Sequence, residues 1–185
     1  AQKDALYLAD GPWGLDYLDD YVTVNSYDLT TSSREYSEGN HEVHRNPTIY
    51  GEVKGNINLF RHILPGDQTL DVTNYNVINF LITNNEPVEL IIMQDEQRAW
   101  GNRIRYIIPV NNTEQSFDIS LADFVDGFGN PVGITNVKTV VFSIIGDYTN
   151  YIPFNMAIND LSFNTQSVLA LNDLSLEKGN RLINY

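Results

Sequence analysis

The feature that most constrains this chain is a succession of short runs of β-forming residues separated by turn-forming residues. Val, Ile, Phe, Tyr and Thr dominate the runs, and these residues fit a pleated, half-buried surface. The runs predicted as strands are 21–27, 49–60, 77–83, 88–94, 103–110, 116–121, 137–145 and 154–163. Turn signals such as Pro65-Gly66-Asp67 and Asn84-Asn85 lie between them. About eight or more antiparallel strands at this spacing predict an all-β sandwich, of the jelly-roll kind.

Three segments depart from this rhythm. Residues 121–125 could form one helical turn. Segment 28–48 is polar and longer than the ~15 residues of ordinary connections, so we predict a functional or disordered loop there. Residues 166–185 follow the last predicted strand and are predicted to be a tail or linker. The β-sandwich, as the ligand-binding domain, is therefore expected to occupy residues 1–165.

Composition narrows the class of partner. A chain of 185 residues with 42% apolar residues can bury one sizeable core, and no apolar run reaches the ~20 residues of a membrane span. The chain has no cysteine, which excludes disulfides and thiolate chemistry. A net charge of −13 argues against nucleic acid and anionic membranes and favours a domain that stays monomeric.

The start of the sequence bears on where the protein works. Residues 1–4 carry no apolar signal-peptide core, so we expect that any secretion signal has been removed or lies outside this sequence. We predict that the protein is secreted and extracellular.

Strand alternation indicates which side chains face water. In one predicted strand Ile78, Phe80 and Ile82 share the core face, and in another Ile104, Tyr106 and Ile108 do so. Arg103 and Arg105 then point the opposite way, which is notable in so acidic a chain. Trp100 lies in the turn that enters the same strand.

Trp100, Arg103 and Arg105 form the first predicted carbohydrate-binding group. An indole offers a flat apolar face on which a sugar ring can stack, and a guanidinium can donate several hydrogen bonds to hydroxyls or to an acidic group. The alternative is that Trp100 closes the end of the core and that both arginines pair with neighbouring carboxylates.

The turn from Asp147 to Tyr151 is the second predicted carbohydrate-binding group. It holds Asp147, Tyr148 and Tyr151 between two late strands, and loop aromatics at a sandwich edge often contact ligand. These residues could equally close the end of the sandwich. Trp13, ahead of the first predicted strand, is interpreted as a plug for the core rather than a ligand platform.

No motif indicates catalysis. The chain lacks a nucleophile elbow, a phosphate-cradling loop and a zinc-protease helix, and none of its 24 acidic residues is singled out as one of a glycosidase pair. His41-Glu42-Val43-His44 does not have a recognised zinc spacing. We therefore predict that the domain is not an enzyme and has no catalytic residue.

Calcium is the cofactor that the sequence favours most. A hard cation needs oxygen ligands from different strands. Asp20 at the first predicted strand and Asp160 in the last are predicted as its ligands, supported by Asp19 and Asn159. Solvated surface carboxylates are the alternative.

Several stretches also follow one another in a familiar order. They are 18–21, 60–71, 75–80, 88–92, Trp100 with 103–106, 117–119 with Phe124, 140–142 and 158–163. In this order residues 18–163 resemble the galactose-binding-like jelly rolls that serve as carbohydrate-binding modules, and most of all the family eleven modules and their relatives. The resemblance departs at Val22, where such domains carry an acid. It implies structural calcium and a glycan site on one sheet face or at loop tips, and it carries over no ligand residue.

The end of the chain carries a second resemblance. Residues 181–185 look like the stretch before the Tyr-Pro-Asn-Pro start of type nine secretion sorting domains, although Pro-Asn-Pro itself is absent. This implies a piece of a larger secreted protein.

The predicted function is therefore a non-catalytic carbohydrate-binding module that targets a larger secreted enzyme to a polysaccharide. The alternatives are a structural or interaction spacer and a jelly-roll glycoside hydrolase or lyase.

Overall fold

The computed structural model describes residues 13–32, 34, 39–66, 68–96 and 98–166. The strands, in chain order, are β1 (Trp13–Tyr17), β2 (Val22–Thr30), β3 (His41–Glu42), β4 (Asn46–Val53), β5 (Asn56–His62), β6 (Leu70–Asp71), β7 (Val77–Asn84), β8 (Val88–Met93), β9 (Ile104–Ile108), β10 (Asn111–Ser120), β11 (Asn136–Val137), β12 (Thr139–Ile145) and β13 (Ile152–Asn164). Two 3-10 turns span Trp100–Asn102 and Leu121–Asp123. Across these described ranges, we find no helix long and apolar enough to cross a membrane.

The strands form two large antiparallel sheets. The five-stranded sheet has the order β1-β5-β12-β8-β9, and the six-stranded sheet has the order β10-β7-β13-β4-β2, with β3 added on β13. A small sheet pairs β11 with β6. This arrangement confirms the predicted all-β, antiparallel sandwich.

The core lies between the two sheets and follows strand alternation. Phe80 on β7 meets Phe142 on β12 edge to face, with ring centroids 5.4 Å apart. The predicted core positions Ile78, Phe80, Ile82, Ile104 and Ile108 are buried, and Tyr106 is partly buried against the core. Fully burying such a side chain stabilises the fold by about 1.5–3 kcal/mol, so the alternating pattern is enough to fix which face of each strand points inward.

The predicted single strand 49–60 is wrong, because the chain turns between β4 and β5. Lys54 and Gly55 make that turn, and the N–H of Lys54 donates to the carbonyl oxygen of Tyr21 (2.8 Å). A Cβ on Gly55 would lie 2.9 Å from the Tyr21 Cβ, so the turn needs a residue without a side chain.

The polar segment 28–48 is also more ordered than predicted over its described residues. β2 continues to Thr30, and β4 begins at Asn46. Between them His41 and Glu42 form β3 and pair with Phe163 and Ser162 of β13. Backbone pairing on a central strand satisfies the polar groups of this stretch, a contact that no local sequence signal reveals.

Trp13 opens β1, a strand that the sequence did not indicate. Its side chain is buried, and its Nε1–H donates to the carbonyl oxygens of His44 (3.2 Å) and Arg45 (3.1 Å). It therefore plugs the core, as interpreted from the sequence.

The end of the domain and its tail fall partly outside these residues. β13 ends at Asn164, and Gln166 is tied to Asn76 by two hydrogen bonds. The predicted tail beyond Gln166, including the stretch that looks like a secretion sorting signal, lies outside the described residues.

Candidate functional site

The outer face of the five-stranded sheet carries the candidate site. Strand register aligns its outward side chains in rows: one row runs through His62, Thr139 and Met93, the next through Phe60, Val141, Ile91 and Arg105, and a third through Asp16, Asn58, Ser143, Glu89 and Ile107. These residues belong to five strands that are far apart in sequence.

A cleft crosses the first two rows at one end of this face. Two adjoining depressions, of about 340 Å³ and 270 Å³, share His62, Met93, Trp100 and Thr139 as lining residues. We call this combined depression the Trp100 cleft. Phe60, Asn58 and Asp16 extend it along the sheet, so it has apolar walls with polar groups at intervals, as ligand sites usually do.

Trp100 stands at the edge of the cleft. It begins the 3-10 turn Trp100–Asn102. Two backbone hydrogen bonds close this turn, one from Asn102 N to Ala99 O (2.8 Å) and one from Arg103 N to Trp100 O (3.3 Å). Its side chain is 46% exposed. The guanidinium of Arg103 lies 5.0 Å from the indole centroid, a cation–π contact that occupies one ring face and holds the ring in place.

Both predicted arginines are paired rather than free. Arg103 Nε donates to Glu89 Oε2 (2.6 Å), and Arg103 Nη2 lies 2.5 Å from the same oxygen. Arg105 Nη1 lies 3.3 Å from Glu89 Oε1. The arginines are thus paired with a carboxylate, as in the alternative interpretation of the sequence, whereas Trp100 is exposed rather than closing the core.

His62 and Phe60 line the cleft and were missed by sequence reasoning. The His62 and Phe60 ring centroids are 5.0 Å apart, and His62 Nδ1 lies 2.8 Å from Thr139 Oγ1. Both residues sit on β5, where Asn56, Asn58, Phe60 and His62 alternate with core residues. This alternation is the sequence signal for an outward-facing row of side chains on β5. It was hidden because the sequence predicts β4 and β5 as one strand.

Two polar atoms in the third row lack a partner. Asn58 Nδ2 donates to Asp16 Oδ2 (3.1 Å), but Asn58 Oδ1 and the hydroxyl of Ser143 are buried without any hydrogen bond among the described residues. Register places them side by side on β5 and β12. A buried polar atom without a partner costs about 1–3 kcal/mol, so this part of the face favours a hydroxyl-bearing group.

A buried cation lies beneath the same end of the sheet. Arg61 on β5 points inward and is fully buried, and its guanidinium donates to the carbonyl oxygen of His62. Burial lowers the pKa of Arg61 to about 9, which leaves it charged at neutral pH. Its sequence position gave no sign of burial.

The second predicted group lies at the opposite end of the sandwich. We call Tyr21, Lys54, Tyr148 and Tyr151 the tyrosine end. The hydroxyl of Tyr148 donates to Asn56 Oδ1 (3.1 Å), and that of Tyr151 donates to the carbonyl oxygen of Asp20 (2.7 Å). Lys54 Nζ lies 5.5 Å from the Tyr21 centroid and 5.4 Å from the Tyr151 centroid.

Asp147 shapes the turn that presents Tyr148. Its Oδ1 accepts from the N–H groups of Thr149 (2.7 Å) and Asn150 (2.9 Å). The Asn150 bond and then the Thr149 bond lower the pKa of the Asp147 carboxyl, because both stabilise the charged form. Its role as a sugar contact stays a prediction.

The two predicted groups do not form one local site. β12 runs from Thr139, beside His62, to Ile145, beside Asn56. Six residue steps along a strand span roughly 20 Å. Trp100 and Tyr148 therefore stand at opposite ends of the same sheet.

The two predicted calcium ligands, Asp20 and Asp160, lie near opposite ends of β4. Asp20 precedes Val22, which pairs with Val53 at one end of β4, whereas the N–H of Asp160 donates to Asn46 Oδ1 (3.0 Å) at the other end of β4. The two ends of β4 are seven residue steps apart, roughly 23 Å. Asp160 Oδ1 already accepts from Ser32 Oγ (2.5 Å).

The described residues also hold no group of three or more acidic or histidine side chains that could bind a metal. In the His41-Glu42-Val43-His44 stretch, burial lowers the pKa of His41, and Glu42 lies 3.8 Å from Arg34. Calcium binding stays a prediction.

Comparison with known proteins gives a fold but no family assignment from sequence. No protein-family model matches the chain, and no curated protein matches it.

Solved structures of similar architecture do exist. The family 11 carbohydrate-binding module from Clostridium thermocellum, in complex with a β-1,3-1,4-mixed-linked tetrasaccharide, covers 84% of this chain and 89% of its own, at 11% identity and a TM-score of 0.54. The family 11 module of the cellulosomal cellulase Lic26A-Cel5E from the same organism covers 84% and 88%, at 10% identity and a TM-score of 0.55.

A region of an enzyme matches as well. The Endo-D glycoside hydrolase domain structure from Streptococcus pneumoniae R6 covers 82% of this chain but only 21% of its own, at 10% identity and a TM-score of 0.51. At such low identities these likenesses show a shared jelly-roll fold.

Proposed function

We propose that this domain binds a carbohydrate on the outer face of the five-stranded sheet, without catalysing a reaction, and that Trp100 is its main stacking platform. The observation that carries the proposal is the exposed indole at the edge of the Trp100 cleft, fixed on one face by Arg103. A sugar ring can stack on the open face of such an indole without a large ordering cost, because the ring is already held.

Polar groups suited to hydroxyls lie along the same face. His62 and Thr139 line the cleft, and the unpartnered Asn58 Oδ1 and Ser143 hydroxyl lie four residues further along their strands. A saccharide presents hydroxyls at short intervals that can donate and accept. An extended chain running from Trp100 along β5 and β12 fits this arrangement.

The charges favour a neutral glycan. Glu89 faces both Arg103 and Arg105, so one carboxylate offsets part of their positive charge. Asp16, Asp95 and Glu96 line the cleft together with Arg98, Arg103 and Lys138, so the lining has no excess of positive charge to attract an acidic chain. We therefore propose a neutral glycan as the ligand.

We further propose, as expected from the sequence, that the domain is secreted and targets a larger enzyme to its polysaccharide. The family 11 module that shares its fold was solved with a β-1,3-1,4-mixed-linked tetrasaccharide, which makes mixed-linked glucan the first ligand to test.

The decisive experiment compares Trp100→Ala with Tyr50→Ala by isothermal titration calorimetry and affinity electrophoresis on mixed-linked glucan. Tyr50 is similarly exposed (50%) but lies on β4 of the other sheet. We expect Trp100→Ala to lose about tenfold or more in affinity, roughly 1.4 kcal/mol, and Tyr50→Ala to bind as the wild type does.

Other outcomes separate the alternatives. Wild-type protein that binds no neutral or acidic polysaccharide would contradict the proposal and favour the spacer function. New reducing ends or unsaturated products after incubation with the glycan would favour a hydrolase or lyase.

A further inference from the structure

Phe128 is the most exposed large apolar side chain in the described part of the chain, at 79%. It is the tip of a hairpin formed by residues 125–131. A single exposed apolar side chain needs no explanation by itself. Phe128, however, is held by an ordered hairpin that is docked against the Trp100–Asn102 turn.

The hairpin extends the five-stranded sheet beyond its edge strand β9. Val125 pairs with Arg105 through two backbone hydrogen bonds, from Arg105 N to Val125 O (2.8 Å) and from Val125 N to Arg105 O (3.1 Å). Pro131 forms the return bridge to Val125. The tip therefore lies beside the chain that precedes β9, which is the Trp100–Asn102 turn.

Asp126 fixes the conformation of the tip. Its Oδ1 accepts from the N–H groups of Phe128 (2.9 Å) and Asn130 (2.9 Å), and Oδ2 accepts from Asn130 Nδ2 (3.3 Å). Gly129 adopts φ of 84° and donates to the carbonyl oxygen of Asp126 (3.0 Å). The ring of Phe128 is thus presented by a turn whose backbone is already ordered.

The tip is docked directly against the Trp100 turn. Gly127 N donates to Asn102 Oδ1 (3.1 Å), and a Cβ on Gly127 would lie 2.0 Å from the carbonyl oxygen of Gly101. Phe128 and Trp100 each lie one residue from this contact. At 3.8 Å per residue step their Cα atoms are within about 12 Å of each other.

A polar depression continues from the Trp100 cleft to this hairpin. It is lined by Asp126 and Pro131 of the hairpin, and it shares Gln94, Glu96 and Arg98 with the cleft. A chain leaving the cleft on this side would therefore pass the hairpin.

From these contacts we propose that Phe128 is a second aromatic platform for the glycan, beyond Trp100, and that it contacts only chains long enough to leave the cleft. This inference rests on the proposed function. Arg103 covers one face of Trp100, so Trp100 offers a single stacking face, and on the hairpin side of the cleft Phe128 is the exposed ring on which a longer chain could stack. Preorganisation by Asp126 reduces the ordering cost of that contact.

The test measures Phe128→Ala by calorimetry with mixed-linked glucan and with its short oligosaccharides. We expect the affinity for the polymer to fall about threefold to tenfold and the affinity for a trisaccharide to stay unchanged. Trp100→Ala should weaken both ligands, and Tyr50→Ala should weaken neither. Thermal unfolding of Phe128→Ala should match the wild type, because the ring is exposed.

Phe128→Trp supplies a second readout. It keeps a flat ring at the same place, so polymer affinity should be retained, and the emission of the new indole should shift on adding polymer but not trisaccharide. Each spectrum is compared with that of the wild type, which contains Trp13 and Trp100.

The possible failures are distinguishable. If Phe128→Ala binds the polymer as the wild type does while Trp100→Ala does not, the inference about Phe128 is wrong and the proposed function stands. If the wild type binds neither ligand, both are contradicted for this glycan.

Discussion

The Trp100 cleft and the tyrosine end carry similar residues at opposite ends of one sheet, but their side chains are engaged differently. At the tyrosine end the hydroxyls of Tyr148 and Tyr151 are bonded to Asn56 and Asp20, and Lys54 lies against two of the rings. At the cleft one face of Trp100 is held and the other is open. Exposure of aromatics alone therefore does not define a binding site.

The backbone conformation at the tyrosine end also indicates a structural role for these residues. Tyr148 has φ of 61°, a left-handed conformation that costs a non-glycine residue of order 1 kcal/mol or more. Its N–H donates to the carbonyl oxygen of Lys54 (2.8 Å), and its ring meets Tyr21 edge to face at 5.7 Å. These contacts join three turns, so this cluster is well suited to closing the end of the sandwich.

The largest effect should come from Glu89, which holds the cleft edge together. Glu89→Gln leaves Arg103 and Arg105, which are 13% and 28% exposed, without their carboxylate. We expect the free energy of unfolding to fall by about 1–3 kcal/mol, measured by urea denaturation, and glycan affinity to fall as Trp100 loses its fixed orientation. Glu52→Gln on the other sheet, an exposed residue of β4, is the matched control. Unchanged stability would contradict a structural role for the pair.

Tyr148→Ala and Trp100→Ala should affect opposite properties. Trp100→Ala should reduce glycan affinity about tenfold with little loss of stability, because the indole is half exposed. Tyr148→Ala should lower stability by about 1 kcal/mol through loss of its hydrogen bond and ring contact, with affinity changed less than twofold. A large loss of affinity in Tyr148→Ala would instead support the predicted role of Tyr148 as a sugar contact.

Acid should loosen the turns at both ends. Hydrogen bonds from Asn130 N and Phe128 N lower the pKa of Asp126, and those from Asn150 N and Thr149 N lower that of Asp147. A carboxyl with a lowered folded-state pKa stabilises the fold above its unfolded pKa near 4, and that stability is lost as the pH falls through the folded value. The midpoint temperature of thermal unfolding should therefore decrease when the pH is lowered below about 4.

Two variants separate the contributions of the two ends. Asp126→Asn and Asp147→Asn should each reduce this acid sensitivity, and only Asp126→Asn should also reduce affinity for the polymer. An acid sensitivity that neither variant changes would show that other carboxyls dominate it.

The smallest expected effect is that of salt. Because the proposed glycan carries no charge for salt to screen, affinity for mixed-linked glucan should change less than about twofold between low and high ionic strength. The same titration on an acidic polysaccharide is the comparison. Strong, salt-sensitive binding to it would overturn the proposal of a neutral ligand.

The sequence was sufficient for the fold because alternation is a local property. Val77–Asn84 and Ile104–Ile108 alternate clearly, so the inward face of β7 and β9 could be assigned from the chain alone. Merging β4 with β5 failed for a physical reason. The turn at Lys54–Gly55 is set by packing against Tyr21, a contact between residues more than thirty positions apart.

The sequence alone determined that the chain forms an antiparallel sandwich, that Arg103 and Arg105 face outward, and that Trp100 lies beside them. Only the tertiary structure decided that Glu89 pairs with both arginines, that His62 and Thr139 line the cleft, and that Asp20 and Asp160 lie apart. The reason is that side-chain direction follows from period-two geometry within one strand, whereas a site is made by register between strands, and register depends on contacts across the whole sheet.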